Sequence, residues 1–114
     1  MILCIDDEVT GLMVRKMVLQ SQGYEVLTAS NGLEGLKLFA ANPVDVVVLD
    51  YAMPGMNGGQ VAAELKRLNP KAKILLLTAY VDLPEEALQW VDKRSVKGVS
   101  PTTFLTDLQQ LLTA

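Results

Sequence analysis

Short runs of strand length, most of them largely apolar, alternate five times with longer amphipathic stretches, and this alternation constrains the 114-residue chain more than any other feature. The runs lie at 2–5, 24–29, 44–49, 73–77 and 94–96; the first is apolar throughout, the third is the richest in β-branched residues, and the last is the short Arg94-Ser95-Val96. Strands without polar alternation, each followed by a helix, imply a parallel sheet covered on both faces. Right-handed crossovers then make the fold class α/β, a three-layer sandwich around a five-stranded sheet. The length suits one domain, residues 1–114, and is too short for two cores.

Punctuation between the runs supports this order. A helix is expected over 8–21, with Val9, Leu12, Met13 and Met17 on its inner face and Gly23 as its stop. Asn31 caps the next helix, Glu34 completes a capping-box-like pair, and Leu33, Leu36 and Phe39 point inward before Asn42-Pro43 ends it. Residues 50–58 read as a loop, 59–68 as a helix, and Pro84-Glu85-Glu86 as the start of a short one. Ser100 and Pro101 open the last helix, whose stripe is Phe104, Leu105, Leu108, Leu111 and Leu112.

Composition excludes several functions. A net charge of −3 and scattered cations disfavour direct binding of nucleic acid, which normally shows a basic patch. There is no histidine, so no mechanism here uses an imidazole, and the single Cys4 lies in an apolar run where a thiol behaves as a small buried hydrophobe. No apolar run reaches the ~18 residues a membrane span needs. The first residues turn from apolar to acidic with no basic leader, so the expected location is cytoplasmic, with no membrane contact.

In an open α/β sheet, ligands bind beyond the carboxyl ends of the strands. The polar residues expected there are Asp6 and Asp7 after the first strand, Asp50 after the third, Thr78 after the fourth and Lys97 near the end of the fifth. Each alone has an ordinary reading: a helix cap, a turn residue, a structural threonine, a solvated lysine. Together they place three carboxylates at one edge, where like charges demand compensation. Oxygen-only ligands suit Mg²⁺ better than zinc or copper. A carboxylate can also serve as the nucleophile towards phosphorus, with lysine and threonine stabilising the transferred group.

These residues, read with their neighbours, resemble the receiver domain of two-component response regulators over nearly the whole chain. The segments that carry the likeness are Ile2-Leu3-Cys4-Ile5-Asp6-Asp7-Glu8, the run from Val46 through Asp50 and Pro54 to Gly58, Leu76-Leu77-Thr78-Ala79-Tyr80, and Val96-Lys97. The resemblance implies a flavodoxin-like fold with strand order 2-1-3-4-5. It implies that Asp50 is the phosphoacceptor, served by a sensor histidine kinase or a phosphotransfer protein. Asp7, Asp50 and the backbone carbonyl of Ala52 would bind Mg²⁺, Asp6 would help through a water, and Lys97 and Thr78 would meet the phosphoryl group. The chain would be a phosphoacceptor switch rather than an enzyme, acting on a downstream protein that the sequence does not identify. A homodimer through the last helix is compatible with this.

Departures from the family are equally legible. Gly98 stands where proline is usual, which predicts either a trans bond with a rearranged loop or a strained cis one. Arg94 occupies the place of a common aromatic switch residue, and the stretch from Thr78 to Lys97 is short, implying a truncated fourth helix. Tyr80 and Ala52 flank the expected path of hydrolytic water; Tyr80 would screen it and Ala52 offers no polar help, so a long-lived phosphorylated state is expected. Trp90 reads as helix packing, with an exposed partner contact as the alternative. Competing readings are a receiver-fold binding module that no longer uses phosphate and an aspartyl phosphatase. The second would want an acid/base residue where Ala52 stands. The loop after the first strand is acidic, unlike the phosphate cradle of a flavin-binding protein. No effector element is expected within these residues.

Overall fold

The computed structural model describes residues 1–79 and 82–113. Five strands, β1 (Ile2–Ile5), β2 (Val26–Ala29), β3 (Val46–Asp50), β4 (Lys73–Thr78) and β5 (Lys93–Val96), alternate with helices α1 (Val9–Ser21), α2 (Gly32–Ala41), α3 (Gly58–Leu68), α4 (Glu85–Leu88) and α5 (Pro101–Leu112). The strands form one sheet, order β2-β1-β3-β4-β5, with every pairing parallel. The expected α/β three-layer, flavodoxin-like architecture is therefore present.

Strand side chains alternate between faces, and the two cores follow that alternation. Leu3, Ile5, Val47, Leu49, Ile74 and Leu76 pack with Phe39 of α2 and Val61, Ala62 and Leu65 of α3. Ile2, Cys4, Val46, Val48, Leu75 and Leu77 pack with Leu12 and Leu19 of α1 and with Phe104, Leu108 and Leu111 of α5. The same parity directs Asp50, the last residue of β3, and Asp6, one step beyond β1, towards the α1/α5 layer.

Capping fixes where helices begin. Asn31 accepts the Glu34 amide at 2.8 Å, although the Glu34 side chain receives the Ser30 hydroxyl instead of closing a full box. Asn57 and Gln60 do form a reciprocal capping box, so α3 starts at Gly58, one residue before the expected position. Ser100 accepts the Thr103 amide, with Pro101 in the first helical turn as anticipated.

Two inward-facing assignments need correction. On α1, Val9, Met13 and Met17 are exposed rather than inner. The helix meets the sheet along the line from Leu12 to Leu19, two turns apart, and residues spaced by four drift off that line. On α2, Leu33 is exposed because the core approaches through Gly32 and Gly35 instead. A Cβ at Gly35 would lie 2.3 Å from Ile5 Cδ1, so the helix is seated on β1 by the absence of a side chain.

Candidate functional site

Parallel register brings the candidate residues together. Ile5 pairs with Leu49, which sets Asp6, just past the end of β1, beside Asp50, the last residue of β3. The Asp6 amide donates to the Ala29 carbonyl at 3.1 Å, and the Tyr51 amide to the Leu77 carbonyl at 3.0 Å, so both carboxylates hang from sheet backbone. The Lys97 amide donates to the Thr78 carbonyl at 2.8 Å, which pins the end of β5 against β4. Gly58 closes the other side: a Cβ there would lie 2.7 Å from the Asp50 carbonyl oxygen. The first residue of α3 is thus packed directly on the backbone that carries Asp50.

Asp6, Asp7 and Asp50 each place a carboxylate oxygen within 4.8 Å of the others. Asp6 and Asp50 are buried, whereas Asp7 is exposed. Lys97 Nζ donates to Asp50 Oδ1 at 3.0 Å and lies 3.4 Å from Asp6 Oδ2. Thr78 is buried at the end of β4, and Ala52 is exposed in the loop after β3. All five polar residues expected at this edge are therefore at it. Tyr80, expected to screen hydrolytic water, lies outside the described residues.

The sequence reading missed Arg15. Its guanidinium extends from α1 and donates to Asp6 Oδ2, forming an ion pair in which the aspartate is fully buried and the arginine largely so. The signal was present: Arg15 lies between Leu12 and Leu19 on the covered line of α1, and a cation on a buried stripe requires a partner. The compensation that like charges demand at this edge therefore comes in part from the chain itself, before any metal ion. Three carboxylates face two built-in cations, Arg15 and Lys97.

The two buried carboxylates differ in how fully they are paired. Burial alone would raise the Asp6 pKa, but the Glu8 amide, Arg15 and Lys97 hold it below the ordinary carboxylate range. For Asp50, burial pushes the pKa up to about 6; the Lys97 hydrogen bond opposes the rise and repulsion from Asp6 adds to it. Burial opposes the charge on Lys97 as well, yet hydrogen bonding and attraction to Asp50 and Asp6 push its pKa up. Among the described residues, Asp50 Oδ2 and Arg15 Nε are the buried side-chain polar atoms without a hydrogen-bond partner. An orphaned carboxylate oxygen in an all-oxygen cluster fits a hard divalent cation. Cys4, one layer below, has its pKa pushed up to about 12 by burial, which makes it an inert core residue.

The departures resolve as follows. No peptide bond among the described residues is cis, and Gly98 has φ +89°, a value open to glycine and closed to proline, whose ring fixes φ near −65°. The trans alternative with a rearranged loop is the one adopted. The fourth helix is a single turn, Glu85–Leu88. Arg94 is exposed on β5, and Trp90 is 41% exposed beside a shallow groove that includes Tyr51 and Pro84.

The family model for the response regulator receiver domain matches residues 2–100. The transcriptional regulatory protein GlrR of Escherichia coli K12 is 36% identical over 84 residues, covering 74% of this chain and 19% of that protein. Sporulation initiation phosphotransferase F of Bacillus subtilis 168 is 30% identical over 82 residues, covering 72% of this chain and 66% of that protein. The chain thus spans about a fifth of the length of regulators such as GlrR. Among solved structures, response regulator protein TrrA of Thermotoga maritima, in complex with Mg²⁺-BeF, superposes with a TM-score of 0.91 at 38% identity and 97% coverage of both chains.

Proposed function

The chain belongs to the response regulator receiver domain family, and on that premise we propose that it accepts a phosphoryl group on Asp50 and passes the change to a partner protein. Members of the family are phosphoacceptor switches of two-component systems rather than classical enzymes. The observation that carries the reading is the unequal pairing of Asp50: one buried oxygen is held by Lys97 and the other has no partner among the described residues.

In the proposed transfer, a carboxylate oxygen of Asp50 attacks phosphorus on a phosphohistidine of the donor. The P–N bond breaks, its electron pair leaves with the imidazole, and an acyl phosphate P–O bond forms. Lys97 holds the nucleophile before transfer and meets a phosphoryl oxygen after it; the Thr78 hydroxyl would donate to another. Asp7, Asp50 and the Ala52 carbonyl are the candidates to hold Mg²⁺, with Asp6 assisting, and the cluster of carboxylate oxygens supports that assignment. Mg²⁺, when bound, supplies charge neutralisation at the phosphoryl oxygens. The relative solved with Mg²⁺-BeF supports the same metal.

The donor is a sensor histidine kinase or a phosphotransfer protein, and the exposed Val9, Met13 and Met17 offer it an apolar foothold along α1. We place the chain in the cytoplasm as one domain over residues 1–114. No helix among the described residues is long and apolar enough to cross a membrane.

Intact-mass measurement after incubation with phosphoramidate tests the reading. Wild type gains one phosphoryl mass with Mg²⁺ and none with EDTA, and Asp50→Asn gains none under either condition. A modified Asp50→Asn protein, or an unmodified wild type, would overturn it.

A further inference from the structure

The phosphoacceptor reading gives no task to Arg15, yet this residue makes the most buried ion pair of the site. Its position follows from helix geometry. Side chains on a helix lean towards its N-terminus, which for α1 is the end next to Asp6. Gly11, one turn earlier, puts no side chain in the path; a Cβ there would already stand 3.6 Å from Arg15 Nη1. The guanidinium therefore arrives at the acidic cluster from the α1 side while Lys97 arrives from β5.

The geometry points to Arg15 as a built-in rival of the divalent ion, a positioning residue that holds Asp6 in the metal-free pocket and sets how tightly the pocket takes Mg²⁺. This deepens the metal reading above and rests on it. With Arg15 present, Asp6 is saturated: Oδ1 accepts from the Glu8 amide at 2.9 Å, and Oδ2 is shared by Arg15 and Lys97. An incoming cation meets one guanidinium charge within a few bonds of its ligand set. Removing that charge leaves the carboxylates intact and deepens the negative potential, so metal affinity rises. The same removal leaves a fully buried carboxylate short of a partner, so the metal-free fold weakens. Arg15 thus exchanges metal affinity for a pocket that stays folded when empty.

Isothermal calorimetry of Mg²⁺ binding to the unphosphorylated protein tests this, with Arg15→Met and Arg15→Gln compared with Arg15→Lys. Charge removal is expected to tighten Mg²⁺ binding about tenfold, the scale of a unit charge acting on a nearby divalent ion at high dielectric. Arg15→Lys, which keeps the charge, is expected to bind as wild type does. Thermal melts give an independent readout: in EDTA the two neutral variants melt lower than wild type, and added Mg²⁺ raises their midpoints further than it raises that of wild type. If Arg15→Met does not fold without metal, Arg15→Gln, which still offers Asp6 a hydrogen-bond donor, carries the measurement. Unchanged or weaker Mg²⁺ binding in the neutral variants, or equal tightening in Arg15→Lys, would overturn the role of Arg15. Wild type that takes no Mg²⁺ at millimolar concentration would instead overturn the metal reading itself, which separates the two failures.

Discussion

The ends of β1 and β3 lie side by side and carry the same side chain, yet the fold treats them oppositely. Asp6 is enclosed by donors: an amide two residues on, a guanidinium from α1 and an ammonium from β5. Asp50 is as deeply buried but, among the described residues, receives one side-chain donor, and its second oxygen has no partner there. One carboxylate is held ionised and the other is pushed towards its neutral form. Environments that drive two adjacent titratable groups apart assign them different work. On the proposed function, Asp6 belongs to the frame of the pocket and Asp50 is the group kept available for chemistry.

The strongest way to break this comparison is Asp6→Ala. It strands Arg15 in a largely buried position, takes the acceptor from the Glu8 amide and removes one of two anions facing Lys97. The expected loss is about 3–5 kcal/mol in urea denaturation with EDTA present, the usual result of breaking a buried pair from one side. Because repulsion from Asp6 is one of the causes that raise Asp50, the Asp50 carboxyl should also titrate lower in the variant, as read by carbon NMR. A loss near zero would show that Asp6 and Asp50 are not differently supported.

Asp50→Asn should do the reverse. The folded Asp50 pKa lies above its ordinary value, so the fold prefers the neutral carboxyl. That preference is fully expressed below the unfolded pKa of 3.8 and is lost as pH rises through about 6, above which an ionised Asp50 weakens the metal-free protein. Asparagine keeps the neutral shape at every pH. In EDTA at pH 8 the variant should be more stable than wild type by roughly 2–3 kcal/mol, converting the shift at 1.36 kcal/mol per unit, and the gain should vanish near pH 4. A gain independent of pH, or a loss at pH 8, would contradict the contrast with Asp6.

How much of this was legible in the sequence follows from the range of the forces involved. The alternation of five strands with helices, caps at Asn31 and Ser100 and the shared edge of Asp6, Asp7, Asp50, Thr78 and Lys97 rest on local pattern and on a topology rule, and both are written in the chain; the strand order came only with the family resemblance. The inner face of α1 was not legible, because apolar Val9, Met13 and Met17 mark an amphipathic stripe without saying which part the sheet covers. That same ambiguity hid Arg15: its role appears only when Leu12 and Leu19 are known to be the covered line. Gly35 and Gly58 were likewise silent, since a glycine chosen for close approach looks in sequence like one chosen for a turn.

Gly98 allows the finest test, because it supports Lys97 and therefore bears mainly on Asp50. Its φ of +89° is strained for any residue with a Cβ, although no atom stands within 4 Å of where that Cβ would go. Gly98→Ala should therefore cost only backbone strain, about 1–2 kcal/mol in a urea titration. Relief of that strain shifts the loop that carries Lys97, the side-chain donor to Asp50 among the described residues, while Asp6 retains Arg15 and the Glu8 amide. The Asp50 carboxyl should then titrate higher than in wild type and the Asp6 carboxyl should barely move. Equal movement of both would mean that the pocket responds as a single charged cluster, and that the separate support of its two buried acids is only apparent.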